Sequence, residues 1–180
     1  MYNLSKSAVN EKSFTCVQTK TMPSFNICIY EPYMDKYISA ALLSKEGLWE
    51  PYITILFQRA LTHYPKSAVV DIGANIGYYS LLSSKMGHKV VAVEPAYENV
   101  VRFHKGAVLN NCQDRIVLLH NAIAMKRENV TLTRNRNNQG GLWIQPIALS
   151  QAQTELMQLR EHSVIQTIMM DELNALVQST

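Results

Sequence analysis

Between residues 68 and 95 the alternation of apolar and polar positions is at its sharpest. Ala68, Val69 and Val70 form a short apolar run that ends on Asp71, and Val90 to Val93 form a second that ends on Glu94 and Pro95. Between them Ile76, Tyr79, Leu82 and Met86 recur at helical spacing and Gly87 follows, which predicts a helix from Ile76 with these four on one face. Strand, glycine turn, helix, strand, acid is the opening half of a doubly wound α/β sheet.

The flanking pattern extends this unit in both directions. Residues 1–24 are polar and without period, which predicts a flexible arm with at most a short strand; residues 25–180 then form one domain. Phe25 to Tyr30 reads as a strand, ended by Glu31-Pro32. A short helix, a turn at Gly47 and a second helix with Pro51 at its first position follow. In that second helix Ile53, Leu56, Phe57, Ala60, Leu61 and Tyr64 predict one apolar face against the sheet, with Pro65 ending it. Beyond Glu94, a helix over Tyr97 to Asn110 turns Val100, Val101, Ala107 and Val108 inward. A strand over Arg115 to His120 comes next, with Asn121-Ala122 just past its end. Val130 to Thr133 and Leu142 to Ile144 pair as a hairpin across a turn at Arg134 to Gly141. Ser150 to Glu161 reads as a loop or short helix. Val164 to Met170 is a strand, with Asp171-Glu172-Leu173 opening a last short helix and Met169 and Met170 as core filler.

Composition adds boundaries. The chain has 180 residues, 47% apolar and 17% charged, an ordinary globular balance. Its net charge of +3 is too slight to argue for nucleic acid. No apolar run approaches the roughly 20 residues of a membrane span, and the opening residues lack the apolar core of a secretory leader. Cys16, Cys28 and Cys112 are scattered, which reads as unpaired thiols in a reducing, cytoplasmic setting. His63, His88, His104, His120 and His162 lack ligand spacing and read as surface or boundary residues, with no metal site expected. Lys126, Arg127, Arg134 and Arg136 gather around the hairpin, either as a solvated surface or as a rim for an acidic substrate.

The chemistry gathers at the glycine turn. Gly73 and Gly77 permit a sharp turn and close approach of a ligand to main-chain N–H groups, and the helix start supplies donors and a partial positive charge. Glu94 follows Asp71 by 23 residues, where a carboxylate accepts ribose hydroxyls. A dinucleotide fingerprint from Gly73 needs glycine at 75 and a small residue at 78, but Asn75 and Tyr78 stand there. Asp71 would also repel a pyrophosphate, whereas the sulfonium and ammonium of S-adenosylmethionine suit an acidic neighbour. The turn therefore reads as a methyl-donor site, with a nicotinamide-dependent oxidoreductase as the disfavoured alternative.

The stretch VVDIGANIGYYS, then VVAVEP and AYENVVRFHKGAVLNN, resembles the FkbM family of S-adenosylmethionine-dependent methyltransferases. The likeness runs from about Ile27 to Leu176. It includes a D-x-Y-I-S element (Asp35, Tyr37, Ile38, Ser39), a G-x-W-E element (Gly47, Trp49, Glu50) and a V-x-T-x-x-L-D-x-L element at Ile165 to Leu173 with Met170 in a leucine position. The resemblance implies a Rossmann-like class I methyltransferase fold, here partial: the first half of the doubly wound sheet, a helical leader and a β-hairpin. It implies a donor site of Asp71, Gly73, Ala74, Asn75, Gly77 and Glu94, with Asn121 and Ala122 beside the adenine and Glu50 and Tyr37 towards the methionine end. Asn121-Ala122 also reads as a plain strand-end turn, Glu50 as a helix N-terminal acid, and Trp49 as packing. The family's K-x-D-x-E-G-x-E element has no counterpart before Thr180, so the chain is expected to be truncated, with the strand at Val69 left as an open apolar edge for self-association or a partner. No catalytic residue is assigned. The expected activity is O-methylation of a small molecule or glycan; the alternative is a silent donor-binding remnant or interaction module.

Overall fold

The computed structural model describes residues 2–5, 13–135, 138–146 and 164–179. A three-stranded parallel sheet lies at its centre, built from β3 (Val69–Ile72), β4 (Val90–Val93) and β5 (Ile116–Leu119) in the order β3-β4-β5. Helix α3 (Tyr78–Lys85) joins β3 to β4, and α4 (Tyr97–Leu109) joins β4 to β5. Both helices cover the same face, where Val69, Val90, Ala92, Ile116 and Leu118 meet Leu81, Leu82, Val100, Phe103 and Ala107 in the main core. On the other face Val91, Val93 and Leu119 pack against Leu173 of a last helix, α5 (Met170–Ser179). Helices on both faces of a parallel sheet make the chain an α/β protein.

Ahead of the sheet, β1 (Cys16–Gln18) pairs antiparallel with β2 (Asn26–Cys28), which lies against α4. Helices α1 (Ile38–Leu43) and α2 (Pro51–His63) follow, α2 with proline in its first turn as expected. Beyond the sheet, β6 (Ala122–Ile123), β7 (Asn129–Asn135), β8 (Asn138–Pro146) and β9 (Val164–Ile168) form a second sheet in the order β6-β9-β7-β8. The two expected hairpin segments pair as β7 and β8, with Leu132 opposite Ile144.

Several expectations are corrected. The hairpin strands run on to Asn135 and resume at Asn138, so the eight-residue turn is much shorter. Helix α3 begins at Tyr78, two residues late, and is buried on several sides; Ser80, Ser83 and Ser84 are as enclosed as Leu81 and Leu82. In α2 the buried residues are Thr54 and Leu61, whereas Ile53 and Leu56 are 51% and 63% exposed. Ile53 borders a groove over β3, the edge strand of the sheet among the described residues. Val70 and Ile72 of β3 are themselves 43% and 48% exposed, because the cluster around Leu173 of α5 takes in residues of β4 and β5 and none of β3. Met170 is exposed and is no core filler. The leading segment is docked where it is described: the Tyr2 N–H donates to the Leu118 carbonyl at 2.8 Å, covering the β5 edge, and Leu4 is buried. His88 and His104 are buried rather than superficial. The Ser150–Glu161 segment lies outside the described residues.

The cysteine reading is overturned. Cys16 and Cys28 sit directly opposite each other in the β1–β2 ladder and form a disulfide, leaving only Cys112 as a thiol. The error came from judging spacing along the chain, since strand pairing joins residues that the sequence separates. Among the described residues no helix is long and apolar enough to cross a membrane, and no three His, Cys, Asp or Glu side chains gather as a metal site.

Candidate functional site

Strand register decides whether the two acids act together. Asp71 pairs with Ala92, and side chains repeat on one face every second residue, so Asp71, Ala92 and Glu94 all project to the α3–α4 side. Glu94 is 4% exposed, just past the end of β4. Its Oε2 accepts the Asn75 N–H at 2.7 Å; its Oε1 accepts the Ala96 N–H at 2.8 Å and the Asn99 side-chain amide at 3.1 Å. Burial pushes its carboxyl up to about 7, against the pull of those three donors, and the nearby Asp71 adds to the rise. Asp71 accepts the Ser80 hydroxyl at 2.6 Å, and burial raises its pKa as well.

The turn between the acids is wound tightly. Gly73, Asn75 and Gly77 all have left-handed φ values, 77°, 54° and 88°. Gly73 and Ala74 both donate to the Val93 carbonyl, Asn75 to Glu94, Ile76 to the Asn75 side-chain oxygen, and Gly77 to the Ala74 carbonyl. Every N–H from residue 73 to residue 77 is therefore engaged inside the protein. The expectation that these donors face a ligand is corrected, because the Glu94 carboxylate already holds the loop. A pyrophosphate, which needs such donors, has no cradle here. Of the two acids beside the turn, only Asp71 borders a groove; Glu94 is enclosed by the loop.

The two glycines differ in kind. A Cβ on Gly73 would meet no atom within 4 Å, so open space lies above it. A Cβ on Gly77 would lie 2.4 Å from the Phe103 ring, so that glycine serves the packing of α4 on the turn. Ala74 is buried in the main core beside them.

The outlying candidates are placed as follows. Asn121 donates its side-chain amide to the Gln166 carbonyl at 2.9 Å, tying the end of β5 to β9, and Ala122 is buried beside Val130 and Ile165. Glu50 precedes α2 with a left-handed φ of 42° and makes no side-chain cap; its carboxylate accepts the Tyr79 hydroxyl at 3.2 Å, which brings it to the first turn of α3. Tyr79 is pushed up to about 12, chiefly by burial and further by Glu50, so it stays a donor. Trp49 packs against the core, and its N–H donates to the Tyr78 hydroxyl. Asp35 is buried and accepts the Tyr37 N–H and both the N–H and hydroxyl of Ser39, so the D-x-Y-I-S element caps α1 while Tyr37 itself stays exposed. Near the hairpin, Lys126 pairs with Glu128 and Arg127 with Glu172, which removes half of the expected basic rim; the side chains of Arg134 and Arg136 lie outside the described residues.

Three contributors were missed by sequence reasoning. Asn99 braces Glu94 and accepts the Tyr30 hydroxyl at 2.6 Å, while the Arg102 guanidinium stacks 3.6 Å over the Tyr30 ring. Ser80, within the quoted motif, is the partner of Asp71. A polar residue at an inward helical position was the available signal for Asn99 and Ser80. Tyr30 had none, because its partner lies 69 residues away.

The cavity that reaches Asp71 is a shallow, mostly apolar groove of about 200 Å³ between α2 and the edge strand, lined by Ile53, Phe57, Val69, Val70, Asp71 and Tyr79. It does not extend to Glu94.

No family model and no curated protein matches this chain. Among solved structures, a SAM-dependent methyltransferase from Agrobacterium tumefaciens superposes with a TM-score of 0.42 at 10% identity, over 61% of this chain and 34% of that one. The chain thus spans about a third of that protein's length.

Proposed function

We propose that this chain binds S-adenosylmethionine at the Asp71–Glu94 turn and is an FkbM-type methyltransferase, acting on an oxygen of a small molecule or glycan. One observation carries the reading: two carboxylates share a sheet face around a left-handed turn whose N–H groups are all engaged internally. Such a turn rejects phosphate and suits a cation with hydroxyl donors. The residues fit the donor in one further respect: the space above Gly73 is open to a close approach. Glu94 is 4% exposed and its carboxylate already holds three donors, so the ribose reaches it only by displacing the Asn75 N–H from Oε2.

In this reading Glu94 orients the ribose, Asp71 and the exposed Glu50 carboxylate set the negative potential that holds the positive end, and Gly73 admits the donor to the backbone. Asn99 and Ser80 keep the two acids in place by donating to them. When bound, the donor supplies an electrophilic methyl group for in-line transfer to the acceptor. Calorimetric titration of folded protein with S-adenosylhomocysteine tests this. Binding that disappears in Glu94→Ala and Asp71→Ala supports it, and a folded wild type that binds NADH instead refutes it.

A second reading, a donor-binding remnant or interaction module without turnover, is favoured by the state of the acids. Glu94 is 4% exposed behind the turn, the Asp71 carboxylate is engaged by the Ser80 hydroxyl, and Tyr79 stays protonated, so the turn presents no freely exposed base to an acceptor. Binding with no methyl transfer to any hydroxyl acceptor would select it.

A further inference from the structure

Cys16 and Cys28 join adjacent strands of the β1–β2 ladder, with the Cys28 side chain fully buried. Such a bond persists where the surroundings are oxidising. The remaining thiol, Cys112, is buried, and burial pushes its pKa up, so it supplies little thiolate to exchange with the disulfide.

The same chain carries Asn129-Val130-Thr131, an N-x-T acceptor triplet. Triplets of this kind arise by chance and count for little unless compartment and exposure agree. Here Val130 packs against Ala122 and Ile165 and is 2% exposed, which puts Asn129 and Thr131 on the opposite face of β7. Asn129 is exposed, and so is its cross-strand neighbour Gln166, so a bulky group at Asn129 displaces no packed side chain. A second triplet, Asn3-Leu4-Ser5, is more constrained: the Asn3 side-chain oxygen accepts the Ser5 N–H at 2.9 Å beside the buried Leu4.

We infer that the chain matures in an oxidising, glycosylating compartment, where Cys16 and Cys28 join and Asn129 receives an N-linked glycan. This replaces the cytoplasmic expectation, which rested on unpaired cysteines. Closing the disulfide removes two protons and two electrons from the thiols and passes them to the disulfide of an oxidoreductase, which becomes a dithiol. At Asn129 the Nδ2 atom bonds to the anomeric carbon of an oligosaccharide carried on a lipid pyrophosphate. The bond from that carbon to the phosphate oxygen breaks, the lipid pyrophosphate leaves with the electron pair, and one amide proton is lost.

The test is a peptide map of the full chain isolated from the cells that make it, alkylated in denaturant without reductant and treated with N-glycosidase in heavy-oxygen water. The expected map links Cys16 to Cys28, shows Cys112 alkylated, and converts Asn129 to heavy-oxygen aspartate in most molecules. Expressed in the same cells, N129Q loses one glycan on electrophoresis and N3Q keeps it. Alkylated Cys16 and Cys28, an Asn129 peptide recovered unchanged, or a glycan lost from N3Q and kept in N129Q overturns the inference.

Discussion

Glu94 sets the behaviour of the turn. Its pKa of about 7 in the folded chain stands above the 4.5 of an unperturbed glutamate. The folded state therefore holds a proton between those values that the unfolded chain has released, and folding stability falls as pH rises through that window. The full difference is on the order of 3 kcal/mol. Denaturant melts from about pH 5 to about pH 8 should show the wild type losing stability relative to Glu94→Gln. Ligand hydroxyls favour the ionised carboxylate, so binding should tighten over the same range and release protons, seen as heats that depend on the ionisation enthalpy of the buffer. The two glycines give a second residue-level contrast. Gly77→Ala drives a Cβ into Phe103 and should cost about 3 kcal/mol or more, measured by thermal melting. Gly73→Ala meets nothing and should cost about 1 kcal/mol of backbone strain, while weakening donor binding far more than stability.

Elements were legible where local signals suffice. Val69–Ile72, Val90–Val93 and the presence of a helix between them follow from apolar runs and glycine punctuation, and so does the proline-led start of α2. The single apolar face expected of α3 does not, since that helix is buried on several sides. The site was less legible, because its geometry depends on pairing: register puts Asp71 and Glu94 on one face, and the acid then takes the loop donor that the motif had offered to a ligand. The apolar face of α2 was misread for a related reason. Ile53 and Leu56 have the correct spacing, but α2 buries Thr54 and Leu61 instead, and Ile53 borders only the shallow groove over β3. The disulfide is the clearest case, since its two cysteines are 12 residues apart and meet only across a strand pair. Removing it with Cys16→Ser and Cys28→Ser together should cost about 3 kcal/mol by the loop-closure estimate, measured by denaturant unfolding.

At the scale of the molecule the two edges of the parallel sheet differ. Residues 2–5 cover the β5 edge, whereas among the described residues β3 ends the sheet, with Val70 and Ile72 exposed and Ile53 of α2 bordering the groove over it. We propose that this edge is a contact surface. Sedimentation should show association that Val70→Lys reduces, because a lysine on an edge strand opposes strand addition. The same asymmetry bears on ligand binding, for the groove reaching Asp71 opens along that edge while Glu94 stays sealed behind the turn. The central claim is that the turn recognises a cationic donor through its two acids. Its most direct test is titration of S-adenosylmethionine into folded wild-type protein at about pH 6 and about pH 8. The account predicts binding at both, tighter at the higher pH and absent in Glu94→Ala that remains folded. A folded wild type that gives no binding signal at either pH, or binding that persists unchanged in folded Glu94→Ala, would contradict it.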